Sequence, residues 1–195
     1  MPLPALVGLY SPAPQCGKST VARHLWQRYG YIRVPFAETL KSMIRPMLGD
    51  MGLNPSQIHT LENGDKTGEI HPEFPGLTLR KLYQTIGTEW GRNLIHQELW
   101  IKIWKLKVQN YFKTGARVVV EDVRFQNEFN CVDTLGGEMW AIGRKVAVEK
   151  YKSTHASESM NVPYGYFDHC FMNDETMQDL LDQIDQTMSV ERDKP

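Results

Sequence analysis

The 195 residues suit one domain with a sizeable core. With 41% hydrophobic and 23% charged residues, composition excludes a disordered or fibrous chain. Lys and Arg (22) nearly cancel Asp and Glu (23), leaving a formal charge of −1. That balance speaks against holding long nucleic acid, which takes a basic footprint.

Short β-rich runs alternate with longer helical patterns, which predicts parallel α/β architecture. Ala5 to Tyr10 reads as a buried strand, followed by a Pro- and Ser-rich loop and a helix over about 18–29. A second strand is expected near 31–35. A helix from about Phe36 then carries Phe36, Leu40, Ile44, Met47 and Leu48 at core spacing. Residues 49–77 are dense in Gly, Pro and Asn-Gly punctuation, which predicts a long mobile insertion with one helical turn after Pro55. Thr78 is the expected N-cap of a helix with Leu79, Leu82, Tyr83 and Ile86 on one face. Another helix is expected over about 97–114, a buried strand at Arg117 to Asp122, and a helix to about Leu135. Gly136-Gly137 turns the chain into a strand at 138–143. A polar, lid-like segment at about 144–165 precedes a last strand near 167–171 and a helix from about Asp174 to Met188.

Cys16, Cys131 and Cys170 make an odd set without a CxxC pair, which fits a reducing compartment and a cytoplasmic location. The apolar runs are too short for a signal segment or a membrane span.

Strand, loop, Gly17-Lys18-Ser19-Thr20 and helix form the context of a phosphate-binding loop. Backbone N–H groups of Gln15, Cys16 and Gly17 and of the helix start through Thr20 would face phosphate oxygens of ATP, where the helix dipole also favours negative charge. Lys18 would bridge the β- and γ-phosphates, and the Ser19 hydroxyl would take Mg²⁺. Pro12 stands where the motif has its first glycine, and Pro14 adds a second restraint. Each proline fixes φ and removes an N–H, so the early loop must curve differently.

Further motifs follow: Phe36-Ala37-Glu38-Thr39-Leu40-Lys41, Gln84-Thr85-Ile86-Gly87-Thr88-Glu89-Trp90-Gly91-Arg92, Asp122-Val123-Arg124-Phe125-Gln126-Asn127-Glu128 and His155-Ala156-Ser157-Glu158. Together with the phosphate loop they resemble the deoxynucleoside monophosphate kinases of tailed bacteriophages. The resemblance implies a three-layer P-loop α/β fold with a central, mostly parallel sheet. It implies transfer of the ATP γ-phosphoryl to a deoxynucleoside 5′-monophosphate, with Mg²⁺, and leaves a homodimer open. Pro12 and Glu121 depart from the family pattern.

Residue by residue, Asp122 and Arg124 follow a central strand, at the edge where parallel sheets bind ligands. Asp122 could hold Mg²⁺ or cap the following helix. Arg124 could neutralise the transferring phosphoryl or pair with Glu128. Lys41 and Arg45 form an i, i+4 basic pair able to grip an acceptor phosphate, and the family match favours Lys41; Arg45 reads equally as a solvated face. Gln84, Thr88 and Arg92 step by four, drifting about 40° per step on a regular helix. Gln84 could read a base edge, and Arg92 could hold the acceptor phosphate or pair with Glu89. Trp100 could stack on a base or belong to the core. Glu158 and His155, with Arg144, Lys145, Lys150 and Lys152, lie in the lid-like segment, which would keep water from the phosphoryl group. The rival functions are a P-loop kinase for another small acceptor, such as dephospho-coenzyme A, and an ATP-binding switch.

Overall fold

The structure, a computed structural model, describes residues 3–64, 66–150 and 164–193. Its contacts divide the chain into two compact units. One comprises Met1–Phe36 with Trp104–Pro195, the other Ala37–Ile103.

The first unit is built on a five-stranded sheet of β1 (Leu6–Tyr10), β2 (Ile32–Arg33), β3 (Val118–Val120), β4 (Glu138–Gly143) and β5 (His169–Met172). The strands lie in the order β2-β3-β1-β4-β5, and every neighbouring pair is parallel. The continuous apolar runs of β1 and β3 are buried throughout, as a sheet covered on both faces requires. On one face Val7, Leu9, Val119, Trp140, Ile142 and Phe171 pack with Val21, Ala22 and Leu25 of α1 (Lys18–Tyr29). Leu180, Ile184 and Met188 of α8 (Met177–Asp193) join the same cluster. On the other face α6 (Gln126–Thr134) lies so close that a Cβ at Gly8 would meet Val132 Cγ1 at 3.2 Å. The result is the expected three-layer α/β arrangement. The connection leaving β1 through α1 and the one leaving its neighbour β3 through α6 run over opposite faces and in opposite directions along the sheet, and ligands of such sheets bind at the carboxyl ends beside such a switch.

The second unit holds α2 (Glu38–Asp50), α3 (Pro55–Asn63), α4 (Leu79–Gln84), a π-helical stretch (Thr85–Ile95) and the start of α5 (Leu99–Phe112). Leu40, Ile44, Leu48, Ile58, Ile70, Leu79 and Trp100 form its core. The loop expected over 49–77 is corrected here, since nine of its residues form α3. Gln57 N–H donates to Asn54 Oδ1 at 2.9 Å, Asn54 N–H donates to Gln57 Oε1 at 2.8 Å, and Pro55 occupies the first turn. Asn-Pro reads as a turn, but with Gln three residues on it is also a reciprocal helix cap. Thr78 caps α4 as expected, with its Oγ1 accepting from Lys81 N–H at 3.1 Å.

The helix through Gln84 and Arg92 is not regular. After α4 it widens into the π-helical stretch, closed by a bond from His96 N–H to Gly91 O at 3.0 Å. Such an i→i+5 ladder takes more than four residues per turn, so steps of four fall short of a full turn instead of overshooting it. Two glycines explain how the stretch packs. A Cβ at Gly87 would lie 2.9 Å from Leu40 Cδ2, and one at Gly91 would lie 2.6 Å from the Trp100 ring.

Candidate active site

In the first unit the chain leaves β1 and turns through Ser11, whose Oγ–H donates to Ala13 O at 2.7 Å. Pro12 thus sits in a turn held by a side chain. Gln15 (φ 62) and Gly17 (φ 112) adopt left-handed conformations on either side of Cys16. Successive N–H groups in such a turn converge into an anion-binding concavity. The Gly17 carbonyl accepts from Thr20 and Val21 N–H at 3.0 Å and starts α1. A glycine at this position has no side chain with which to cap the first-turn donors.

Gln15, Cys16, Gly17, Lys18, Ser19 and Thr20 line one cavity of about 230 Å³, together with Arg144, Asn173 and Met177. All six loop residues singled out in the sequence are therefore brought together. Arg144, a basic residue of the lid-like segment that follows β4, stands at this cavity. Asn173, after β5, and Met177, which begins α8, line it too, although no sequence motif marks them. The rule that pointed to Asp122 after β3 applies equally to the residues that follow β4 and β5.

Lys18 Nζ donates to Ser11 Oγ. Burial, and then the Arg124 charge, push the ammonium down to about 8, partly countered by Cys16, Asp122 and Glu121. Arg124 and Asp122 are thus near enough for their charges to act on Lys18. Asp122 Oδ1 accepts from Phe36 N–H at 2.8 Å. Capping at α6 falls instead to Glu128, whose buried Oε2 accepts from the backbone N–H of Arg124 at 2.8 Å and of Phe125 at 3.1 Å. Glu121 Oε1 accepts from Arg33, while its buried Oε2 has no hydrogen-bond donor among the described residues. Among the described residues no three His, Cys, Asp or Glu side chains cluster as a metal site, but the Ser19 hydroxyl and the Asp122 carboxylate are hard oxygen donors, the chemistry Mg²⁺ takes.

In the second unit Lys41, Gln84, Thr88 and Arg92 are half-buried on α2, α4 and the π-helical stretch. Arg45 is committed to ion pairs, with Glu38 at 2.7 Å and Glu62 at 2.9 Å. Tyr83 OH donates to Glu62 Oε1 at 2.8 Å. Burial alone would raise the Glu62 carboxyl; the bonds from Arg45 and Tyr83 and the charges of Arg45 and Lys41 outweigh it and leave it low. Trp100, a candidate base-stacking ring, is only 5% exposed. Its Nε1–H donates to Gly87 O at 2.7 Å, so the ring is a core side chain. Within the lid-like segment Lys145–Lys150 form the short helix α7. His155, Glu158 and Lys152 lie outside the described residues. Among the described residues no helix is long and apolar enough to cross a membrane.

Comparison with known proteins adds independent findings. A putative deoxynucleotide monophosphate kinase of Acanthamoeba polyphaga mimivirus is 29% identical over 177 residues, covering 86% of this chain and 88% of that protein. The deoxynucleoside-5′-monophosphate kinase of Escherichia phage T5 is 32% identical over 158 residues, 78% of this chain and 58% of that protein. Among solved structures, a Thermus thermophilus protein superposes with a TM-score of 0.52 at 13% identity, over 96% of this chain and 97% of that one. The dephospho-CoA kinase of Campylobacter jejuni gives 0.52 at 13%, over 95% and 96%. At that identity the likeness shows a shared fold. The model of the deoxynucleotide monophosphate kinase family matches residues 57–184, a stretch that begins after the phosphate-binding loop. With most of its length inside that match, the chain belongs to the deoxynucleotide monophosphate kinase family.

Proposed function

We propose that this protein transfers the γ-phosphoryl group of ATP to a deoxynucleoside 5′-monophosphate, giving ADP and the deoxynucleoside diphosphate. The observation that carries this reading is the convergence of six phosphate-loop residues on one cavity, with Arg124 and Asp122 acting on Lys18, in a member of this family. In the transfer an acceptor phosphate oxygen attacks the γ-phosphorus, and the bond to the β–γ bridging oxygen breaks with its electrons going to ADP. Positioning and neutralisation of charge suffice, and no covalent enzyme intermediate is needed. Lys18 leaves Ser11 and follows the β- and γ-phosphates. Arg124 neutralises the phosphoryl in transfer. Ser19 and Asp122 would hold Mg²⁺, which supplies charge neutralisation at the phosphate oxygens when bound. Lys41 and Arg92 hold the acceptor phosphate, with Gln84 and Thr88 toward the nucleoside. Trp100 supports the π-helical stretch from beneath.

A coupled assay of ADP release tests this, run with each deoxynucleoside monophosphate, with dephospho-coenzyme A and without acceptor. Release that depends on a deoxynucleotide is expected. Release only with dephospho-coenzyme A would identify the other kinase. Equal release without acceptor would leave an ATP-hydrolysing switch.

A further inference from the structure

Asn173 belongs to no motif, yet its side chain is tied to the phosphate loop. It is 4% exposed, and its Nδ2–H donates to the carbonyl of Cys16 at 3.0 Å, across 157 positions of sequence. Its own backbone N–H donates to Gly143 O at 2.9 Å, which fixes it to the end of β4. A fully buried primary amide is costly to desolvate unless its bonds are made. On the loop side, Cys16 is 1% exposed and flanked by the two left-handed residues Gln15 and Gly17. A Cβ at Gly17 would lie 3.0 Å from Asn173 Nδ2 and 3.0 Å from Leu180 Cδ2. Gly17 therefore serves two ends: its φ turns the loop, and its missing side chain admits Asn173 to Cys16.

In a planar trans peptide the carbonyl of one residue and the N–H of the next point in opposite directions, so holding one directs the other. Gly17 lines the cavity, and its N–H lies across the same peptide plane from the Cys16 carbonyl that Asn173 holds. Pro12 and Pro14 can present none. We infer that Asn173 is the positioning residue of the phosphate cradle: its amide locks the Cys16–Gly17 peptide plane so that the loop's N–H groups face the donor triphosphate. The loop arrives preorganised, and ATP binding need not bear the cost of ordering it.

This inference rests on the cavity being the ATP site. Asn173→Asp keeps the size of the side chain, removes the donor and sets a carboxylate against the Cys16 carbonyl. Asn173→Ala cuts the same bond without adding charge, and decides the matter should Asn173→Asp fail to fold. Titration calorimetry with Mg-ATP, and separately with the deoxynucleoside monophosphate, is the measurement. Loss of one buried bond that holds the cradle should raise the ATP Kd at least about tenfold. Stoichiometry should stay near one, and the deoxynucleotide Kd within about twofold. A purely structural role lowers the binding-competent fraction, and so the stoichiometry, at unchanged Kd. An unchanged ATP Kd in the folded variants overturns the inference. Failure of the unsubstituted protein to bind ATP overturns the reading of the cavity instead.

Discussion

Gly91 lies in the Gly-Thr-Glu-Trp-Gly-Arg block that carries much of the family resemblance, and the structure gives it a purely steric task. A Cβ there would stand 2.6 Å from Cζ2 and 2.8 Å from Cε2 and Nε1 of Trp100. Carbon atoms pack best at about 3.5–4.0 Å, so the indole would have to retreat by about 1 Å. The ring is rigid and buried, and its N–H is already spent on Gly87 O. Overpacking of this kind costs about 1–3 kcal/mol, and stretching a buried hydrogen bond adds about 1 kcal/mol. Replacing Gly by Ala in a helix interior returns about 1 kcal/mol. Gly91→Ala should therefore lose about 2 kcal/mol, or about 4–8 °C in Tm for a chain of this size. Gly49→Ala is the control, since that site lies in α2 with nothing within 4 Å of the added Cβ. It should gain up to about 1 kcal/mol. Thermal melts followed by circular dichroism decide the point. A Gly91→Ala protein melting within about 1 °C of the parent would refute the steric account.

Three further predictions concern chemistry and charge. Lys18→Ala should fold and lose at least about a hundredfold in kcat, as loss of one preorganised charge does elsewhere; near-normal turnover in a folded variant would contradict the assignment of the phosphate loop. Arg92→Ala should raise the deoxynucleotide KM with modest loss of kcat, whereas Arg124→Ala should lower kcat by about two orders of magnitude. Arg124→Lys should recover little, because an ammonium cannot span two phosphates as a planar fork does; steady-state kinetics showing the reverse split would refute the roles. The Glu62 carboxyl is held below its ordinary value, so its stabilising contribution is complete above about pH 5 and is lost as pH falls through the folded value. Urea denaturation should show the stability gap between parent and Glu62→Gln closing toward acid pH, and a gap that widens there would show the sign to be wrong.

Where structure follows from short-range pattern, it was legible in the chain. The apolar runs of β1, β3 and β4, the Thr78 cap and the loop before α1 all follow from residues within a few positions of one another. Where two local readings competed, the choice was less secure. Asn54-Pro55 reads as a turn followed by a short helical turn until Gln57 is seen to complete a cap, which is why the sequence shows only the first turn of α3. The π-helical stretch has no local signature. It depends on Leu40 and Trp100 filling the spaces left by Gly87 and Gly91, and those residues come from other helices. Arg45 beside Lys41 looks like half of a phosphate grip, and only Glu62 on α3 shows that it is spoken for.

The parallel α/β class, the Gly17-Lys18-Ser19-Thr20 turn between strand and helix, and the kinase family are legible in contiguous residues whose spacing has a direct geometric meaning. Which distant side chains line the cavity follows from strand pairing. Arg144, Asn173 and Met177 stand at the cavity with Gln15 to Thr20 because β4 and β5 pair in register on one side of β1, so that their carboxyl ends reach the same edge of the sheet. Strand register is a long-range contact, set by burial of both faces of the sheet, and no local stretch of the chain encodes it.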